Sequence, residues 1–212
     1  MSLVLHDNPL SSNAQKVRLL LAELGQTAEL RNVPFAQPRP AWHLAVNPTG
    51  GIPAIVHDGF VLAESNTVLR YLATRSGDTQ IYPSELPDRA TVNWLLDAIA
   101  TFLRPALLPI EEAVYGLRAG RGLGAEAPAA DSGSAAFAHA LPRLRVFEGL
   151  LDTSSPWACC GRFTIADVAA TPVLHRLRRS GLALTAIPRL SAWAEACCER
   201  PAWAGIAASA GV

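Results

Sequence analysis

The 212-residue chain reads as an α/β half followed by an all-helical half. Three observations predict this division. Strand patterns occur only in the first third of the chain, where they alternate with helical ones. Beyond residue 87 the apolar spacing is helical throughout. Between the two lies 77–87, a polar stretch with two prolines, which suits a domain boundary. The expected division is 1–76, a linker at 77–87, and a helical domain at 88–212.

The elements follow in order. Leu3-Val4-Leu5-His6 reads as a short strand, and Asp7-Asn8-Pro9-Leu10 as a turn. Ser11-Ser12-Asn13 is a cluster of helix-capping residues. Val17, Leu20, Leu21 and Leu24 fall at i, i+3, i+4 and i+7, and Gly25 marks the helix end. Glu29 to Val33 makes a second strand, so the first thirty residues form a βαβ unit with parallel strands. Pro34 to Pro40 is a proline-studded connection, and Ala41 to Val46 has room for one helical turn. Ala54-Ile55-Val56 and Phe60-Val61-Leu62 flank Asp58-Gly59, a strong local signal for a hairpin. Glu64-Ser65 opens a helix with Ser65 as N-cap, carrying Val68, Leu69, Leu72 and Ala73 on one side.

In the second half, Asp88 to Leu108 is apolar at helical spacing through Leu95, Ile99, Phe102 and Leu103. Pro105 and Pro109 should bend or end that helix, because each removes a backbone donor. The Gly- and Ala-rich stretch from Ala119 to Ala136 is the expected mobile loop. Leu141, Leu144, Phe147 and Leu151 predict a further helix. Thr164, with Asp167 three places on, is a capping box with Asp in place of Glu, and its helix should run to Arg179. Ile187-Pro188 begins a last helix through Trp193, which Glu199-Arg200-Pro201 ends.

Composition removes several function classes. Half the residues are hydrophobic and the net charge is zero, as in ordinary globular proteins. Such neutrality leaves no electrostatic footprint for nucleic acid or anionic membrane. The start MSLVLHDNP lacks a basic, apolar leader, and no apolar run is long enough to span a bilayer, which predicts a cytoplasmic protein. The cysteines form two vicinal pairs, Cys159-Cys160 and Cys197-Cys198, without the spacing of zinc ligands, so no metal is expected. G-x-S-x-G, H-E-x-x-H and P-loop patterns are absent.

The segment from Asn47 to Leu72 carries a resemblance. Its G-I-P-A run, its hairpin and the Glu-Ser pair opening a helix are similar to the glutathione-binding half of the cytosolic glutathione S-transferases. The capping box at Thr164 resembles one in the helical domain of that family. The resemblance implies a thioredoxin-like βαβ-ββα domain followed by a helical domain, and a cis bond before Pro53. It implies that the backbone of Ile52 pairs with the cysteinyl part of glutathione. Glu64 and Ser65 would hold the γ-glutamyl end. It further implies glutathione as co-substrate, a small hydrophobic electrophile as second substrate, and a homodimer.

Conjugation by glutathione needs the thiolate. A free thiol of pKa ~8.5 is only a few per cent ionised at neutral pH, and lowering it by ~2 units takes ~2.7 kcal/mol. A hydroxyl donating to the anion supplies about half or more of that. A helix N-terminus adds ~0.3–1 kcal/mol. Serine-type members of the family place a serine two residues after the loop proline and six before the helical valine. Counted from Pro9 and back from Val17, both rules reach Ser11, with Ser12 as the alternative and Asn13 as an assisting donor. The first tyrosine is Tyr71 and the first cysteine Cys159, which excludes the tyrosine and cysteine types. The S-S-C-S run usual in the maleylacetoacetate isomerase type is also absent. Many relatives carry a basic residue in the turn filled here by Thr49-Gly50-Gly51, so Arg39 or His43 is expected to contact the glycyl carboxylate. Leu10, Phe102, Ala106 and Tyr115 are the expected electrophile pocket. Lys16 and Arg18 are expected in solvent or at an interface, with no chemical role. The function class that competes with a transferase is a non-catalytic relative that binds a partner protein.

Overall fold

The computed structural model describes residues 2–118, 122–123, 129 and 131–210. The N-terminal part is a four-stranded sheet in the order β2-β1-β3-β4 with helices packed on it. Strand β1 (Leu3–Asp7) pairs in parallel with β2 (Glu29–Asn32), and helix α1 (Ser12–Glu23) makes the crossover. A single turn, α2 (Ala41–Leu44), precedes β3 (Ala54–His57), which runs antiparallel to β1. Asp58 and Gly59 turn the chain at φ 48° and 87° into β4 (Phe60–Ala63). Both positive values fit a type I′ hairpin, whose twist matches that of its strands. Helix α3 (Ser65–Ser76) then packs against α1. Ser65 is the first helical residue and not the cap. Glu64 is the N-cap, at φ 63° and ψ 107°, with no side-chain capping bond.

The stretch 77–87 is more firmly tied than its composition predicts. Ile81 and Tyr82 are buried, and the Ile81 carbonyl accepts from Ile165 N–H at 2.9 Å. Helix α4 (Leu86–Ala98) continues through a π-helical turn at Ile99–Leu103 into α5 (Arg104–Tyr115). Neither Pro105 nor Pro109 ends this helix. At the π turn Arg104 N–H donates to Ile99, five residues back, so the register widens just ahead of Pro105. Widening relieves the clash that a proline ring makes with the carbonyl four residues before it.

Strands β5 (Leu117–Arg118) and β6 (Gly122–Leu123) make a small hairpin. Of the expected loop 119–136, residues 119–121, 124–128 and 130 lie outside the described residues. Residues 132–136 are helical, belonging to α6 (Ser132–Glu148). Helix α7 (Ile165–Arg179) is the central post, with twelve buried residues between Ile165 and Leu177. It packs on α1, α4, α5 and α8 (Pro188–Cys198), so it joins the sheet-bearing part to the helical part. The predicted capping box is present. Thr164 Oγ1 accepts from Ala166 N–H at 3.3 Å, and Asp167 Oδ2 accepts from Thr164 N–H at 2.8 Å. Asp167 also accepts from Ala158 N–H and Trp193 Nε1, each at 2.8 Å, which ties a loop and α8 to the helix start. A last helix, α9 (Pro201–Ala210), follows Pro201, where the sequence predicts only an end. Cys159 and Cys197 are buried free thiols, and no metal-binding cluster occurs among the described residues.

Candidate active site

The site lies where the start of α1 meets the cis bond before β3 and the walls formed by α5 and α7. Ser11 ends the loop after β1 and caps α1. Its Oγ accepts from Ala14 N–H at 3.3 Å, while its backbone carbonyl accepts from Gln15 N–H. The hydroxyl stands 3.5 Å from the carbonyl of Ile52, at the limit of hydrogen bonding and readily exchanged for a better acceptor. Ile52-Pro53 is cis, as is Gln37-Pro38, which no sequence feature signalled.

Ser11, Ser12, Asn13, Gly51 and Ile52 line a cleft of about 340 Å³. A second cavity, of about 180 Å³, shares Ser12, Asn13 and Arg104 with the first and reaches Glu64, Ser65 and Asn66 at the start of α3. The two together form one trough running from the head of α3, past the head of α1, to the helical wall. The first amides of a helix have no partner within it, so both ends of the trough suit anionic or carbonyl groups.

Arg39 lines the cleft; His43 does not. His43 is fully buried, with Nδ1 2.9 Å from His6 Nδ1 and Nε2 3.0 Å from the Gly51 carbonyl. It braces the loop from below and cannot reach a ligand. Arg39 donates to the carbonyls of Gly50 (3.1 Å) and Pro34 (2.8 Å), which holds its guanidinium at the cleft edge. Its Cγ lies 3.1 Å from where a Cβ on residue 50 would stand, and Gly50 has φ +69°. A side chain at position 50 would therefore both strain the backbone and press on Arg39.

Of the expected electrophile pocket, only Leu10 lines the cleft. Phe102 packs under the Arg143 guanidinium, 4.6 Å from its ring centre, and Ala106 is buried in the core. Tyr115 donates to the Arg176 carbonyl at 2.7 Å, and burial pushes its phenol pKa up. Helical spacing places Phe102 on an apolar face, but it does not say which faces look into the cleft.

The cleft wall is instead made by Leu108 and Leu117, faced by Phe35, and by a charged cluster; none of these has an assigned role in the sequence analysis. Arg104 donates to both Glu111 oxygens at 3.0 and 3.2 Å, and Arg176 Nη1 donates to Glu111 Oε2 at 3.0 Å. Arg176 Nη2 donates to the Leu10 carbonyl at 2.7 Å, tying α7 to the loop before Ser11. The one available signal was spacing: Arg104 and Glu111 are seven apart, on one face of a helix.

Of the two places expected for Lys16, solvent and an interface, the structure shows the second, between the sheet-bearing and helical parts. It is 5 % exposed and lines the smaller cavity, donating to Asn66 Oδ1 at 2.6 Å. Burial, then the Arg104 charge, lowers its pKa to about 7, with Glu64 opposing the shift. Its place four residues after Ser12 puts it on the same helical face below the trough, a signal the sequence held.

The comparisons with known proteins agree with this architecture. Residues 10–75 match the model for the glutathione S-transferase N-terminal domain, and residues 127–196 match that for the C-terminal domain. The chain is 28 % identical over 200 residues to glutathione S-transferase GstB of Escherichia coli K12, covering 91 % of each. It is 31 % identical over 201 residues to maleylacetoacetate isomerase of Rhizobium meliloti, covering 89 % of this chain and 88 % of the other. The structure superposes on glutathione S-transferase III in its apo form with a TM-score of 0.80 at 27 % identity, over 100 % of this chain and 98 % of that one. With both halves matched in order along one continuous fold, the chain belongs to the glutathione S-transferase family.

Proposed function

We propose that the protein is a glutathione transferase of the serine type, with glutathione as co-substrate and Ser11 as the thiolate's hydrogen-bond donor. The observation that carries the reading is the placement of the Ser11 hydroxyl 3.5 Å from the Ile52 carbonyl, on the cleft and at the head of α1. One Ser11 lone pair is occupied by Ala14 N–H, so the hydroxyl proton is the part left to give. In the free protein that proton faces Ile52; with glutathione bound it turns to the sulfur. A hydrogen bond to a charged group is worth ~1.5–3 kcal/mol, enough with the helix end to make the thiolate the main form at neutral pH.

In this reading the backbone of Ile52, ahead of Pro53, pairs with the cysteinyl unit. Glu64 meets the α-ammonium, and the head of α3 at Ser65 meets the γ-glutamyl carboxylate. Asn13 assists at the cleft, and Arg39 takes the glycyl carboxylate in place of a basic turn residue. His43 is left out because it is enclosed. The thiolate then attacks a small electrophile, a reaction suited to detoxification. The relatives' names and the intact polar trough favour a transferase over a partner-binding relative. A cytoplasmic homodimer completes the proposal, on the family resemblance.

The test is Ser11→Ala. Its expected effect is a fall of roughly ten- to hundredfold in kcat/KM toward chlorodinitrobenzene, from loss of ~1.5–3 kcal/mol. The pKa of bound glutathione, followed by thiolate absorbance, should rise toward the free value. Unchanged turnover and an unchanged thiol pKa would remove Ser11 from the chemistry, and the same experiment on Ser12→Ala would then identify its replacement.

A further inference from the structure

The wall that faces Ser11 bears on which electrophile the cleft accepts. It is lined by Arg104 from α5, Arg118 from β5 and Arg176 from α7, with Glu111 as the only carboxylate lining it among the described residues. Glu111 is clamped between Arg104 and Arg176, so one negative charge is shared by two guanidiniums. Glu111 and Arg176 are each 3 % exposed, in surroundings where water screens that remaining positive charge weakly. Arg176 Nε is buried without a hydrogen-bond partner among the described residues. Arg104 spends two N–H groups on Glu111, and its side chain is 24 % exposed where it meets the cleft. Arg118 stands at the rim, its only ion pair among the described residues a loose 3.7 Å contact with the exposed Glu112, which holds it weakly.

The geometry points to a small electrophile that carries a carboxylate, held by Arg104 and Arg118 while its reactive carbon faces the sulfur at Ser11. This inference rests on the glutathione-dependent reading above and names the second substrate's class. An uncharged electrophile can lie against Phe35, Leu108 and Leu117, which also line the cleft, but where it covers Arg104 and Arg118 it strips water from their guanidiniums without replacing it, which costs free energy. A carboxylate replaces that water with charge-assisted, two-pronged bonds that guanidinium is shaped to give. The same positive wall raises the local concentration of an anion at the cleft mouth. Arg39 lies on the opposite, sheet-bearing side of the cleft, so the glycyl carboxylate of glutathione and the substrate's acid group do not compete for one cation.

The experiment pairs chlorodinitrobenzene with 4-chloro-3,5-dinitrobenzoate, which reacts by the same step but adds a carboxylate. In both, the sulfur forms a bond to the ring carbon and chloride leaves with the electrons of the C–Cl bond. The quantity read is the ratio of kcat/KM for the benzoate to that for the neutral compound, each corrected for the uncatalysed rate. The expected ratio is above ten in the unaltered protein. It should fall at least tenfold, ~1.4 kcal/mol, in Arg104→Gln and in Arg118→Gln. Arg118 is exposed, so its variant stays folded even if Arg104→Gln does not. A ratio near one, or one that both variants leave unchanged, overturns the inference while leaving the transferase reading in place. Should neither compound turn over, the dissociation constants of the two glutathione conjugates are compared. Tighter binding of the carboxylated conjugate, lost in Arg118→Gln, still supports the anionic wall; equal binding, or none of either, overturns it.

Discussion

Replacing Lys16 by Met probes the fold. The side chain is 5 % exposed, and its pKa is lowered from 10.5 to about 7. Because the folded value lies below the unfolded one, the unfolded chain binds more protons between pH 7 and 10.5. Stability therefore rises with pH across that window, and the burden of the buried cation is fully present below pH 7. At 1.36 kcal/mol per pH unit, that burden is of order 4 kcal/mol at pH 7 and about 1 kcal/mol at pH 10. Methionine removes it but leaves Asn66 Oδ1 without its donor, a loss of ~1–3 kcal/mol that does not depend on pH. Asn66 itself stays oriented, since its Nδ2 donates to the Leu96 carbonyl at 2.8 Å. Lys16→Met should thus be more stable than the unaltered protein at pH 7 by ~1–3 kcal/mol, and the advantage should shrink by ~3 kcal/mol by pH 10. In a chain of this length that shrinkage is roughly 6–12 °C of Tm. Thermal melts of both proteins across pH 7–10 test this. A stability difference that stays constant across the range would refute the reasoning, because it would mean Lys16 keeps its ordinary pKa.

Three further outcomes follow from other parts of the structure. Burial, then His43 and Arg31, lowers the His6 pKa to about 4, so its folded value lies below the unfolded 6.5. Stability should be intact above pH 6.5 and drain away as pH falls toward 4; melts in that range should show a flatter profile for His6→Asn. Asp167→Ala leaves the partners of a fully buried carboxylate unpaired, at a cost of ~3–5 kcal/mol. Denaturant titration should show that loss. Gly122 sits at φ +77°, where an added Cβ would stand 2.9 Å from Phe35 Cδ2 across the cleft. Gly122→Ala should raise KM for the electrophile several-fold by shifting Phe35 or the β5–β6 hairpin, with an unchanged glutathione Kd; an unchanged KM would show that the contact does not shape the cleft.

The amino-acid sequence alone determined what acts within a few residues. Asp58-Gly59 selects its turn, Ser11 caps α1, and Thr164 with Asp167 caps α7, because each rule operates inside one turn of backbone. The order of strands and helices followed from those signals and from apolar spacing. Even locally there were limits. The N-cap of α3 is Glu64 rather than Ser65, and Pro105 is absorbed by a π turn that no propensity rule announces.

Only the tertiary structure decided which charges meet. Glu111 and Arg176 are 65 positions apart and Lys16 and Asn66 are 50 apart, yet each pair is joined by a hydrogen bond of 3.0 Å or less. His43, one of two residues expected at the glycyl carboxylate, is enclosed because His6 and the Gly51 carbonyl meet it from separate elements. The physical reason is range. Hydrogen bonding and steric limits along the backbone are written in neighbouring residues, whereas burial and Coulomb interaction depend on distances that the chain sets only once it has packed.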